Sequence, residues 1–109
     1  MGHWRRLKYG NQKTVIDGIT FDSKKEGNRY AELKMLQMAK EISQLEVQPR
    51  FDCRIRGKHI CNYFADFKYY DHKQNIWVVE DVKGVQTAVF KLKKKLVEAL
   101  YPIEIVIVG

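Results

Sequence analysis

The sequence predicts an α/β domain: a mixed sheet flanked by helices, in the order helix, three strands, helix, strand. Three observations predict it. Two stretches, one in each half of the chain, carry apolar residues at helical spacing. Between them lie runs rich in Val, Ile, Phe and Tyr, separated by turn residues. A last apolar run follows the second helix, which then serves as a crossover and sets that strand parallel to a neighbour.

Taken in order, residues 1–13 form a basic N-terminal arm and residues 14–109 a single domain. Thr14-Val15-Ile16 and Ile19-Thr20-Phe21 flank Asp17-Gly18, a strong two-residue hairpin signal. Ser23, with Glu26 three residues on, fits a capping box. The helix it opens runs from about Lys24 to Lys40, with Tyr30, Leu33 and Leu36 on its apolar face and Met35, Met38 and Ile42 beside them. Leu45 to Ile55 reads as a strand that Gly57-Lys58 turns, and Ile60 to Tyr70 as the next. Residues 71–75 turn the chain into Ile76 to Val82, which Gly84 ends. Val85, Val89, Leu92, Leu96 and Leu100 then recur at helical spacing and predict a core-facing stripe on a helix from about Gln86 to Leu100. Ile103 to Val108 closes the sheet as a buried strand.

The net charge is +7 and the isoelectric point about 9.5. That balance points to an anionic partner, nucleic acid before an anionic membrane surface. No apolar run approaches the ~20 residues of a membrane-spanning helix, and the first residues lack the apolar stretch of a signal peptide. The expected compartment is the cytoplasm, where Cys53 and Cys61 are free thiols. No ligand-pair spacing supports zinc at these cysteines with His59 and His72.

The residues that carry chemistry are Asp66 and Asp81-Val82-Lys83. Alternate residues of a strand share a face, so Val79, Asp81 and Lys83 point one way and Val78, Glu80 and Val82 the other. Asp66 lies on the preceding strand, and a hairpin over residues 71–75 pairs it near Glu80 or Asp81. The two aspartates then reach one Mg²⁺, which takes a few carboxylates plus water and phosphate oxygens. Lys83 is placed to orient a water or to neutralise charge on a phosphate. The bland explanation is a set of solvated salt bridges at a strand end, worth little. Against it stands the placement of charge where the sheet is otherwise buried.

Ala65-Asp66-Phe67 followed by Glu80-Asp81-Val82-Lys83-Gly84 resembles the PD-(D/E)XK nuclease signature, with Ala65 where that signature has its proline. The chain over about residues 9 to 106 is similar to a family of small phage-encoded proteins in that superfamily, long carried as a domain of unknown function. Ile16 to Glu26 and Leu45 to Phe51 carry the resemblance with the two acidic motifs. It implies a restriction-endonuclease-like core and a Mg²⁺-dependent endodeoxyribonuclease, with Mn²⁺ as a substitute. Asp66 and Asp81 would bind metal, Lys83 would assist the attacking water, and Glu26 would face the metal site. Strand alternation and the spacing to Lys83 favour Asp81 over Glu80 as the ligand. By analogy with small Holliday-junction resolvases, a homodimer acting on branched DNA in an infected bacterial host is expected. The alternatives are a DNA-binding module of the same fold that does not cut, and a role on RNA.

Several supporting positions have two readings. Glu26 serves the site or the capping box with Ser23. Gln48, before Pro49, holds a water or phosphate, or is an ordinary strand-edge hydrogen bonder. Lys91, Lys94 and Lys95 share one side of the second helix, as a rail for DNA phosphates or a solvated face. Gln86 with Phe90 loosely resembles a Gln-x-x-x-Tyr extension of related nucleases. Trp4, Arg5, Arg6, Lys8 and Tyr9 combine charge and stacking surface, as nucleic-acid arms do, or form an ordinary tail.

Overall fold

A computed structural model describes residues 12–109. It shows the expected mixed α/β domain. A short hairpin, β1 (Thr14–Ile16) and β2 (Ile19–Phe21), precedes α1 (Lys24–Met38). Asp17 and Gly18 both take positive φ, 53° and 76°, as a tight two-residue turn requires. Ser23 caps α1, its hydroxyl accepting from the Glu26 N–H at 3.2 Å. The helix ends two residues earlier than the sequence suggests, and Lys40 at φ 63° turns the chain directly into a strand. Ile42 therefore belongs to that strand rather than to the helix.

The two long strands of the sequence reading are each broken. Leu45 to Ile55 becomes part of β3 (Ile42–Val47) and β4 (Arg50–Ile55); Ile60 to Tyr70 falls within β5 (Lys58–Phe64) and β6 (Phe67–Asp71). The cause is local. Gln48 sits at φ 55° and Pro49 follows, so the pleat cannot continue. The Gln48 N–H donates to the Asp66 carbonyl at 2.9 Å and the Ala65 N–H to the Pro49 carbonyl at 3.1 Å. The break is thus a shared corner in one long hairpin. Beyond it β4 and β5 pair only with each other, as a two-stranded ribbon.

β7 (Ile76–Val82) and β8 (Ile105–Val108) complete a four-stranded sheet in the order β3-β6-β7-β8. The β3–β6 and β6–β7 pairs are antiparallel, and α2 (Ala88–Leu100) crosses over to make β7–β8 parallel. Each face of the sheet has its own core. Under α1, Phe21, Tyr30 and Leu33 pack on Phe67, Tyr69, Val78 and Val82. On the opposite face, Phe51, Cys53, Tyr63 and Ala65 of the ribbon and corner close with Phe90 and Val97 of α2 over Val79 and Ile105. The expected alternation along β7 therefore holds.

Of the expected apolar stripe on α2, Leu96 packs against the core but most of the rest does not. Val85, Val89 and Leu92 are 63–78% exposed, and the buried residues are Phe90 and Val97. Thr87 caps the helix, its hydroxyl accepting from the Phe90 N–H. Phe90 and Val97, two turns apart, then face the sheet. On α1, Met35 and Met38 likewise point outward, 70% and 79% exposed.

Glu80 is 2% exposed and lies on the α1 face. Arg29 of α1 grips it with two hydrogen bonds, Nε to Oε1 at 2.9 Å and Nη2 to Oε2 at 2.6 Å, and the Tyr69 hydroxyl also donates to Oε2. Removing one member of such a pair leaves an uncompensated buried charge. Arg29→Ala is expected to lower unfolding stability by about 3–5 kcal/mol, read by urea denaturation. A loss under about 1 kcal/mol would show that the Arg29–Glu80 contact does not behave as a buried pair.

Candidate active site

The corner of the long hairpin, the end of β7 and the start of α1 meet at one edge of the sheet. Asp66 occupies the corner. Its N–H donates to the Glu80 carbonyl at 3.0 Å, and its Oδ2 accepts from the Val82 N–H at 2.7 Å. The β6–β7 ladder ends at Phe67–Glu80, one residue short of an Asp66–Asp81 pair. Asp66 is thereby tied to the backbone on both sides of Asp81.

Glu26 comes to the same place from the first turn of α1. Only half of the capping box forms: Ser23 binds the Glu26 N–H, while the Glu26 carboxyl shares a hydrogen bond with Asp66. Two carboxyl groups share such a bond only if one holds a proton. Burial, then the charges of Asp66 and Asp22, push Glu26 up to about 8 from its ordinary 4.5. Asp66 is also raised, chiefly by burial, against the lowering effects of the Val82 N–H and the Lys83 charge.

Asp81 is 1% exposed on the opposite face from Glu80. The Tyr63 hydroxyl of the ribbon donates to its Oδ2, and Lys83 Nζ lies 3.9 Å from its Oδ1. Burial raises Asp81 to about 6, with Lys83 pulling the other way. The ammonium of Lys83 stands 4.9 Å from the centre of the Phe90 ring and acts electrostatically on Glu26, Asp66 and Asp81 alike. Phe90 thus meets the site as an aromatic wall under the lysine, not through a hydroxyl.

The four residues singled out from the sequence, Glu26, Asp66, Asp81 and Lys83, are brought to one edge. Among the described residues, no group of three acids, histidines or cysteines is already arranged as a metal cage. The donor set nevertheless fits a hard divalent cation. It is all oxygen, and the Glu26 and Asp66 carboxyls are desolvated beside one another, a cost that a cation relieves, while Asp81 is joined to them through Lys83. Glu80 is excluded by its commitment to Arg29.

The outer positions fare differently. Gln48 is exposed at the corner, where its backbone N–H, not its side chain, holds the Asp66 carbonyl. Lys91 and Lys95 are exposed on α2, but Lys94 is half-buried and paired with Glu98 at 3.0 Å, so the expected lysine rail loses one member. Trp4, Arg5, Arg6, Lys8 and Tyr9 lie outside the described residues. Asp22, Arg29 and Tyr63 were not assigned roles from the sequence. Arg29 had a signal, since it falls with Glu26, Tyr30 and Leu33 on one helical stripe and a cation there needs a buried partner. Tyr63 had none, because its reach to Asp81 depends on the corner.

A family model described as a protein of unknown function (DUF1064) matches residues 6–106. No curated protein and no solved structure matches the chain. No described helix is long and apolar enough to cross a membrane.

The raised Glu26 carries a pH signature. The folded chain holds a proton that the unfolded chain releases above 4.5, so stability from this group is full below 4.5 and is lost as pH rises through about 8. Glu26→Gln keeps the hydrogen bond to Asp66 without the titration. Thermal melts should show the variant gaining on wild type as pH rises from 4.5 to 8. Parallel melting curves across that range would refute the shared proton.

Proposed function

The chain belongs to that family, whose description leaves its function open, and we propose that it is a Mg²⁺-dependent endodeoxyribonuclease of the PD-(D/E)XK type. The observation that carries this reading is the gathering of Glu26, Asp66, Asp81 and Lys83 at one sheet edge while the neighbouring Glu80 is withdrawn to Arg29. Asp66 and Asp81, with Glu26, would hold the ion. When bound, it supplies charge neutralisation at the scissile phosphate. The chain's own groups do the rest. Val82 N–H and the Asp66 backbone bonds fix the first carboxylate, and Tyr63 and Lys83 fix the second. Lys83 Nζ, on a side chain 33% exposed, is placed to orient the attacking water and to offset charge growing on the phosphoryl oxygens.

The net charge of +7 supports a polyanionic substrate. Selection by DNA shape, as on four-way junctions in phage recombination or replication, is the finer part of this reading. The exposed Val89 and Leu92 on α2, with Val85 just before it, favour a homodimer, since a second copy would take these apolar side chains out of water. One observation favours a binding module that does not cut: both carboxylate oxygens of Asp81 already have protein partners, Tyr63 and Lys83.

Incubation of the purified chain with Mg²⁺ and a four-way junction tests the reading. Cleavage is expected, falling roughly 10²–10³-fold in Asp81→Ala and Lys83→Ala, as when a charge-stabilising group is removed, with DNA binding retained. Binding without cleavage of branched, duplex or single-stranded DNA would establish the binding module instead. Variants that cut as well as wild type would overturn the site.

A further inference from the structure

The β4–β5 ribbon has one side accounted for and one not. Phe51, Cys53 and Tyr63 point inward to the core under α2. Past Cys53 the ribbon leaves the body: every residue from Arg54 to Ile60 is exposed. Its tip is a tight turn in which Arg56 and Gly57 both take positive φ, 52° and 78°. Such a turn matches the twist of the flanking strands, so the tip is a defined, narrow projection.

Its chemistry is one-sided. Residues 50–64 carry Arg50, Arg54, Arg56 and Lys58 against a single acid, Asp52. Arg54 neutralises that acid through Nε at 2.7 Å and braces the turn through Nη1 to the Gly57 carbonyl at 3.3 Å. Arg56 and Lys58, at the very tip, form no ion pair among the described residues. Beside them stand Ile55 and Ile60, 46% and 53% exposed. Ile60 is also the extra residue of a bulge, since Cys53 faces Cys61 and Arg54 faces His59. A bulge re-aims side chains and twists the ribbon away from further pairing.

Resting on the nuclease reading above, we infer that the β4–β5 ribbon is a DNA-binding arm whose Arg56-Gly57-Lys58 tip enters the major groove of the duplex beside the cleavage site. The groove admits a two-stranded ribbon. Arg56 and Lys58 meet phosphates at its walls, and Ile55 and Ile60 supply apolar contacts of the kind thymine methyl groups accept. The arm is tied to the chemistry through Tyr63, which holds Asp81 from the base of the same strand. Lys58 lies five residues further along β5, about 17 Å at ~3.3 Å per residue. That is about five base pairs of B-DNA, so one duplex spans both.

The test measures binding of the full chain to a linear duplex and to a four-way junction by fluorescence anisotropy over a salt series, without Mg²⁺. Against wild type stands the double variant R56S/K58S, whose changed side chains are exposed, with circular dichroism as the check on folding. The expected result is weaker binding to both DNAs and a log–log salt slope reduced by about one for each lost contact, with R56K alone keeping the wild-type slope. Wild-type binding with an unchanged affinity and slope in R56S/K58S would overturn the arm and leave the nuclease reading intact. Absence of wild-type binding to either DNA would overturn both.

Discussion

Two consecutive acids near the end of a buried strand constrain everything around them. Glu80 and Asp81 are 2% and 1% exposed, and strand alternation sends them to opposite faces. Each therefore needs its own compensation on its own side of the sheet. On the α1 face Arg29 and Tyr69 satisfy Glu80 with three hydrogen bonds, so that carboxylate is spent on holding helix to sheet. On the other face Asp81 receives one hydroxyl and a lysine at 3.9 Å, a looser set that leaves it raised to about 6. The contrast separates an acid committed to holding helix to sheet from one whose burial is less fully compensated.

The corner at Gln48-Pro49 and Ala65-Asp66 has two effects at once. It turns the distal half of the hairpin onto the α2 face, where Phe51 and Tyr63 complete a core that α2 alone would not close. It also interrupts the ladder at Asp66, whose carboxylate then binds the Val82 N–H. A straight hairpin would hand that N–H to a backbone carbonyl. The kink that frees Asp66 for the site is therefore the same kink that brings Tyr63 over Asp81.

Much of this was legible in the sequence, and its limits have physical causes. The Asp17-Gly18 turn, the Ser23 cap, the alternation of β7 and the parallel last strand follow from local rules, and each appears in the structure. The corner did not, although Gln48-Pro49 marked one side of it. A proline shows where pairing weakens but not that both strands bend together and continue to bond through Gln48 and Ala65. The face of α2 was misread because five aliphatic residues at helical spacing outweighed one phenylalanine. Phe90 takes the core-facing place with Val97 instead, leaving Val89 and Leu92 in solvent. For the site, sequence order supplied Asp66, Asp81, Lys83 and Glu26. It left the two uses of Glu26 undecided, because only the fold shows its carboxyl turned to Asp66 rather than back to the helix end.

The charge balance of the sheet edge bears on the proposed substrate. The chain carries +7 overall, yet at the sheet edge Glu26, Asp66 and Asp81 all feel the ammonium of Lys83, and Asp22 adds its charge to that of Asp66 on Glu26. Fully ionised, that edge would repel a phosphodiester that the rest of the surface attracts. Burial removes part of the conflict by keeping a proton on Glu26 up to about 8. A divalent cation would remove the remainder and displace that proton, since carboxylate ligands bind metal in their ionised form. On the proposed reading, metal and DNA phosphate therefore bind cooperatively. On that reading the basic surfaces would concentrate DNA, and the acidic edge would accept a phosphate only once a cation had reversed its sign.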